Sequence, residues 1–178
     1  MIDGRYRILG PLGQGGFAKV YRAEHITLQR PVALKVLELG GSPLENQKFR
    51  ERFQREAQIA ARLEHPHVVR IYDHGFVPST AQPYIAMELL RGHDLEEELS
   101  THGVLGPHRA MRLFDGVLDA LAMAHDQGIV HKDLKPSNLF LVDPGTPQER
   151  LVVLDYGIAR LGDDPSSKLT QTNQFSGT

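Results

Sequence analysis

The 178-residue sequence contains no cysteine. That excludes a disulfide scaffold, a cysteine-ligated zinc site and a thiol nucleophile. No apolar run approaches the roughly 18 residues needed to span a bilayer; the longest are short, such as Leu151-Val152-Val153-Leu154. Neither sign of charge dominates: 20 Lys and Arg stand against 22 Asp and Glu, a formal net charge of −2. No basic surplus exists to hold nucleic acid through its phosphates, so no nucleic-acid partner is expected. Solenoid-period repeats and low-complexity tracts are missing too. The opening Met1-Ile2-Asp3-Gly4-Arg5-Tyr6-Arg7 has no apolar h-region, so it does not read as a secretory signal. The expectation is a soluble, cytoplasmic chain with no membrane segment of its own.

What is present is ordinary globular material, 40% apolar and 24% charged. Residues 6–38 read as short β-type runs around a glycine cluster, Gly13-Gln14-Gly15-Gly16, suggesting an antiparallel meander. Ser42 with Glu45 three residues on has capping-box spacing, and Pro43 suits a first helical position. That helix is expected to run to about Leu63. Val68 to Tyr72 and Tyr84 to Glu88 read as two further strands. Asp94 is placed to cap a helix beginning Leu95-Glu96-Glu97-Glu98-Leu99, whose acidic run reads as a solvated face. Pro107 to Gln127 reads as a long helix, with Ala110, Leu113, Phe114, Val117, Leu118, Leu121 and Ala124 on its apolar face. Ile129-Val130, Leu139 to Val142 and Leu151 to Leu154 read as short strands. Gly162 to Thr178 reads as an exposed loop.

Four constellations carry possible chemistry. The glycine cluster lets backbone N–H groups approach phosphate oxygens, although an ordinary hairpin turn has the same composition. The usual dinucleotide reading fails, because a strand-like run follows the glycines where a helix is needed. Lys35 sits inside the apolar run Val32 to Leu37, a position that on a half-exposed strand faces solvent. Glu56 is the centre of an otherwise apolar helical stripe, Phe49, Phe53, Ala60 and Leu63, and a carboxylate there needs a partner. A buried Lys35–Glu56 pair resolves both oddities, as a structural salt bridge or as part of a site. The loop His131-Lys132-Asp133-Leu134-Lys135-Pro136-Ser137-Asn138 offers a base, a cation and a neutral oxygen donor, the alternative being a plain polar connecting loop. Asp155 ends an apolar strand, with Gly157 two residues on. Its alternatives are a hard-metal ligand and a turn aspartate. His65 and His67 flank a proline with no third ligand in view, so zinc is not expected.

Taken together and in order, Gly13 to Val20, Val32-Ala33-Leu34-Lys35, Glu56, His131 to Asn138 and Asp155-Tyr156-Gly157 resemble the protein-kinase signature set. The chain is most similar to bacterial serine/threonine kinases of eukaryotic type. The resemblance implies an α+β, two-lobed fold: an antiparallel β N-lobe with one helix over 1–90, then part of a helical C-lobe over 91–178, ending in the activation segment. It implies ATP and Mg²⁺ as cofactors and protein Ser/Thr hydroxyls as acceptors. Leu12, Gly13, Gln14, Gly15, Gly16, Phe17, Ala18 and Val20 would cover the nucleotide. Lys35, oriented by Glu56, would hold the α- and β-phosphates. Met87, Glu88 and Leu90 would surround adenine, sandwiched by Val20, Ala33 and Phe140. Asp133 would accept the hydroxyl proton, Lys135 would neutralise the γ-phosphate, and Asn138 and Asp155 would hold Mg²⁺. Lys135-Pro136 argues against a small-molecule phosphotransferase. The alternative is a nucleotide-binding scaffold of weak activity. Lys132 replaces the family's usual arginine, Tyr156 its phenylalanine and Ala18 a glycine. Thr170 and Thr172 are the expected autophosphorylation sites. Without the family's later helices, the long helix is expected to expose an apolar face and self-associate.

Overall fold

The computed structural model describes residues 1–15 and 18–156. Gly16, Phe17, Gly157 and the candidate sites Thr170 and Thr172 lie outside the described residues. Five strands form an antiparallel sheet: β1 (Tyr6–Gly15), β2 (Ala18–His25), β3 (Arg30–Leu37), β4 (Ile71–Phe76) and β5 (Pro83–Glu88), in the order β1-β2-β3-β5-β4. Helix α1 (Pro43–Ala60) starts at the expected capping box. Ser42 Oγ accepts from the Glu45 amide, and Glu45 Oε2 accepts from the Ser42 amide at 2.7 Å.

A second, three-stranded sheet follows, made of β6 (Gly92–Asp94), β7 (Leu139–Val142) and β8 (Arg150–Val153). Helices α2 (Leu95–His102) and α3 (Pro107–Asp126) lie between β6 and β7 in sequence, and a 3-10 turn, Pro136–Asn138, leads into β7. Asp94 caps α2 as expected, its Oδ1 accepting from the Glu97 amide at 2.9 Å.

Period-2 alternation explains why β3 is buried on both faces. Val32, Leu34 and Val36 enter one cluster with Ile2, Tyr6 and Tyr84. Ala33 and Leu37 enter a larger one with Phe53 and Ala57 of α1, Ile85 and Met87. Lys35 shares that second face and is not on a solvent face. The larger cluster continues into Leu113, Val117, Leu151 and Val153, so one core spans both sheets.

Four expectations need correction. Val68 and Val69 do not begin β4. They turn to β8 instead, Val69 donating to the Val153 carbonyl at 3.0 Å and Val153 to that of His67 at 2.8 Å. Ile129-Val130 forms no strand, because Gly128 at φ 72° closes α3 and the chain passes directly into the polar loop. Gly92–Asp94, with no strand pattern in sequence, forms β6, three residues long with a glycine at its head. On α3 the buried residues are Leu113, Val117, Ala120 and Ala124. Leu118 is exposed and Phe114 and Leu121 are only half-buried.

Candidate active site

Sheet register builds one wall of a cleft. Val20 lies opposite Lys35, and Ala33 opposite Met87. Directly opposed residues share a face, so these four side chains line one surface. Phe140 of β7 and Leu154 help form the rest of a cavity of about 370 Å³. Leu12 and Gly13 also line it, as do Glu88 at the end of β5, Leu90 beyond it, and Asp155. Gln14, Gly15 and Ala18 pair in the β1–β2 hairpin and are not among the lining residues.

Lys35 Nζ lies 2.5 Å from Asp155 Oδ2, with the two side chains 12% and 16% exposed. Asp155 follows β8 and adopts φ 55°, a left-handed conformation costly for a non-glycine residue.

The loop after α3 supplies the remaining groups. Asn138 Nδ2 donates to the Asp133 carbonyl at 2.7 Å and to Asp133 Oδ2 at 3.1 Å. Lys135 Nζ lies 3.1 Å from the same Oδ2. The Leu154 amide donates to the Asn138 carbonyl at 2.9 Å, which docks this loop onto the segment carrying Asp155. His131 is buried beneath it. Its Nε2–H donates to the Leu154 carbonyl at 2.7 Å, and its Nδ1 accepts from the Asp133 amide at 3.3 Å. One tautomer satisfies both bonds.

Residues 6–178 match the family described as "Protein kinase domain". The chain belongs to the protein kinase domain family. It is 38% identical over 180 residues to a probable serine/threonine-protein kinase PknB of Corynebacterium glutamicum, covering 100% of this chain and 27% of that protein. It is 40% identical to serine/threonine-protein kinase PrkC of Bacillus subtilis, covering 99% and 26%. The crystal structure of the Mycobacterium tuberculosis PknI kinase domain resembles it with a TM-score of 0.74 at 32% identity, over 89% of this chain and 61% of that one. The chain thus spans about a quarter of the length of these curated relatives. Among the described residues, no helix is long and apolar enough to cross a membrane.

In this kinase-domain chain the expected Lys35–Glu56 pair is not formed. Glu56 does lie on the α1 stripe, between buried Phe53 and Ala60, but it is half-buried. It lines a separate cavity of about 310 Å³ with Lys132 and Tyr156. Among the described residues, the carboxylate within ion-pair distance of Lys35 is Asp155. The apolar stripe correctly located Glu56 on the helix; it carried no information about Asp155, which is brought in from 120 residues away.

The Lys135 cation beside Asp133 holds that carboxyl below its ordinary value, against the opposing effect of burial. Asp133 is therefore a carboxylate at neutral pH. Removing the cation with Lys135→Ala is expected to raise its pKa and move its titration to higher pH. A carboxyl-carbon NMR titration reads this directly, and an unmoved midpoint would show that Lys135 does not act on it.

The donor set fits Mg²⁺. With its amide nitrogen committed to Asp133, Asn138 keeps Oδ1 as a neutral oxygen donor, and Asp155 offers a carboxylate. Such hard oxygen donors suit an ion that retains several waters. The Tyr156 hydroxyl, the unusual feature of its motif, donates to the Ala120 carbonyl at 3.5 Å, and burial pushes its pKa up to about 12.

The cleft also contains residues not anticipated from sequence, including Val69, His93, Glu97 and Ser137. The acidic run of α2 is not wholly a solvated face: Glu98 is buried. A period-3.6 count would have found it, since Glu98 falls one turn after the buried Leu95.

Proposed function

We propose that this kinase-domain chain transfers the γ-phosphoryl group of ATP to Ser/Thr hydroxyls of proteins. The supporting observation is that Lys35 and Asp155 meet in the cleft while the Leu154–Asn138 bond docks the Asp133–Lys135–Asn138 unit onto the segment that carries Asp155. Bound Mg²⁺ would neutralise phosphate charge, held by Asn138 Oδ1 and Asp155. Asp133 accepts the hydroxyl proton, and its ionised state suits it to that task. Lys135 neutralises the transferring group, and Lys35 takes the α- and β-phosphates. For this, Lys35 exchanges Asp155 for phosphate oxygens. Glu56 then orients Lys35, which requires α1 to carry it from the Lys132 side to the cleft.

The reading divides the chain into an N-lobe, 1–90, supplying Lys35, and part of a C-lobe, 91–178, supplying Asp133 and Asp155. It includes autophosphorylation at Thr170 and Thr172, and self-association through the α3 face bearing Met111 and Leu118. Lys35→Met is expected to weaken Mg-ATP binding by about tenfold or more, the loss of one hydrogen bond between charged groups. Titration calorimetry measures this, and an unchanged affinity would refute the assignment.

A further inference from the structure

Strand β6 is short, three residues, yet it forms part of the cleft wall. At its head Gly92 has φ 139° and passes so close to β7 that an added Cβ would lie 2.0 Å from the Leu141 carbonyl oxygen. At its end Asp94 pairs with Phe140, a second wall residue. So short a strand has few ladder bonds to keep its position, and its middle residue supplies a lateral tie.

That residue is His93. Its Nε2 lies 2.8 Å from Glu98 Oε2, and the Glu98 side chain is only 5% exposed. A carboxylate can only accept, so Nε2 carries the proton. Glu98 is itself fixed. Arg109 Nη1 donates to its Oε1 at 2.6 Å, and His102 Nδ1 lies 3.2 Å from its Oε2. Arg109 Nη2 continues to Glu149 Oε1 at 2.5 Å, and Arg112 reaches Glu149 Oε2 at 2.7 Å. Glu149 lies just before β8. The chain of contacts therefore runs from the cleft wall through α2 and α3 to the β7–β8 hairpin.

We propose that His93 is a positioning residue for the nucleotide cleft, anchored by the Glu98–Arg109–Glu149 relay, whose two carboxylates are buried. The proposal rests on the nucleotide reading above. Glu98 holds the His93 ring, the ring holds β6, and β6 holds the Asp94–Phe140 register of the wall. Misplacing a binding wall by a fraction of an ångström costs affinity even where no direct contact to ligand is lost.

The test is Mg-ATP affinity by calorimetry, with melting temperature measured alongside, for the parent chain, His93→Ala and His93→Gln. Glutamine keeps an N–H donor for Glu98. His93→Ala is expected to bind Mg-ATP about tenfold more weakly, the loss of one charge-assisted hydrogen bond expressed as affinity. His93→Gln is expected to recover most of that loss and to melt near the parent temperature, whereas His93→Ala melts lower because it leaves buried Glu98 one donor short. Parent-like affinity in His93→Ala, or equal weakening in both variants, would overturn the positioning role alone. A parent chain that binds no Mg-ATP would overturn the nucleotide reading and this inference with it.

Discussion

Replacing Asp133 with asparagine is expected to lower phosphoryl transfer by about 10²–10⁴-fold, the usual contribution of a positioned general base. Mg-ATP affinity is expected to stay near the parent value. The physical reason is location. Asp133 is not among the residues lining the cleft; its carboxylate is tied to Lys135 and Asn138. Asparagine is close to isosteric and still accepts from Asn138 Nδ2, so the loop is expected to keep its shape. Asp155→Asn is expected to behave oppositely in binding. It removes the proposed donor for Mg²⁺ and the counter-charge of Lys35. Steady-state kinetics with parallel binding titrations separate the two. Equal loss of nucleotide affinity in both variants would contradict this division of roles.

The second large effect concerns stability. Arg109→Met is expected to destabilise the fold by about 3 kcal/mol at neutral pH, because it leaves two buried carboxylates short of a cation. Glu98 and Glu149 are 5% and 3% exposed at the side chain. Burial pushes the Glu98 carboxyl up, but hydrogen bonds from His93 and Arg109 outweigh it and hold it below its ordinary value. Arg109 holds Glu149 low as well, against burial. The sign of the pH dependence follows. Carboxyls depressed in the folded state contribute stability above their unfolded value near 4.5, and lose it as pH falls through the folded values. In the variant both carboxyls rise toward or above that value. The stability gap between parent and variant is therefore expected to be widest near neutrality and to narrow toward pH 4. Urea unfolding at several pH values measures it, and a gap independent of pH would show that lost packing, rather than lost charge, causes the effect.

The long strands and capped helices were legible because local chemistry determined them. The Ser42–Glu45 box, Pro43 and the Asp94 cap are readable within four residues, and each is found as expected. The cleft residues Val20, Ala33 and Met87 were reached through motif resemblance, and cross-strand register explains why they meet. What stayed illegible depends on distant pairing. Sequence pairs Lys35 with Glu56, whereas the acid it meets is Asp155, which the fold brings in from 120 residues away. Glu98 looked like one of three equivalent surface acids until Arg109, eleven residues on, brought it inside. Strand β6 has no pattern of its own and exists because β7 lies beside it.

Protein-directed phosphoryl transfer is read by following label from γ-³²P-ATP. The chain is incubated with a serine- and threonine-bearing protein in one arm and with small hydroxyl compounds in the other, each with and without Mg²⁺. Mg²⁺-dependent label on serine or threonine of the protein is expected, slowed about 100-fold or more in Asp133→Asn. Label on the small compounds alone, or on protein at an undiminished rate in Asp133→Asn, would contradict it.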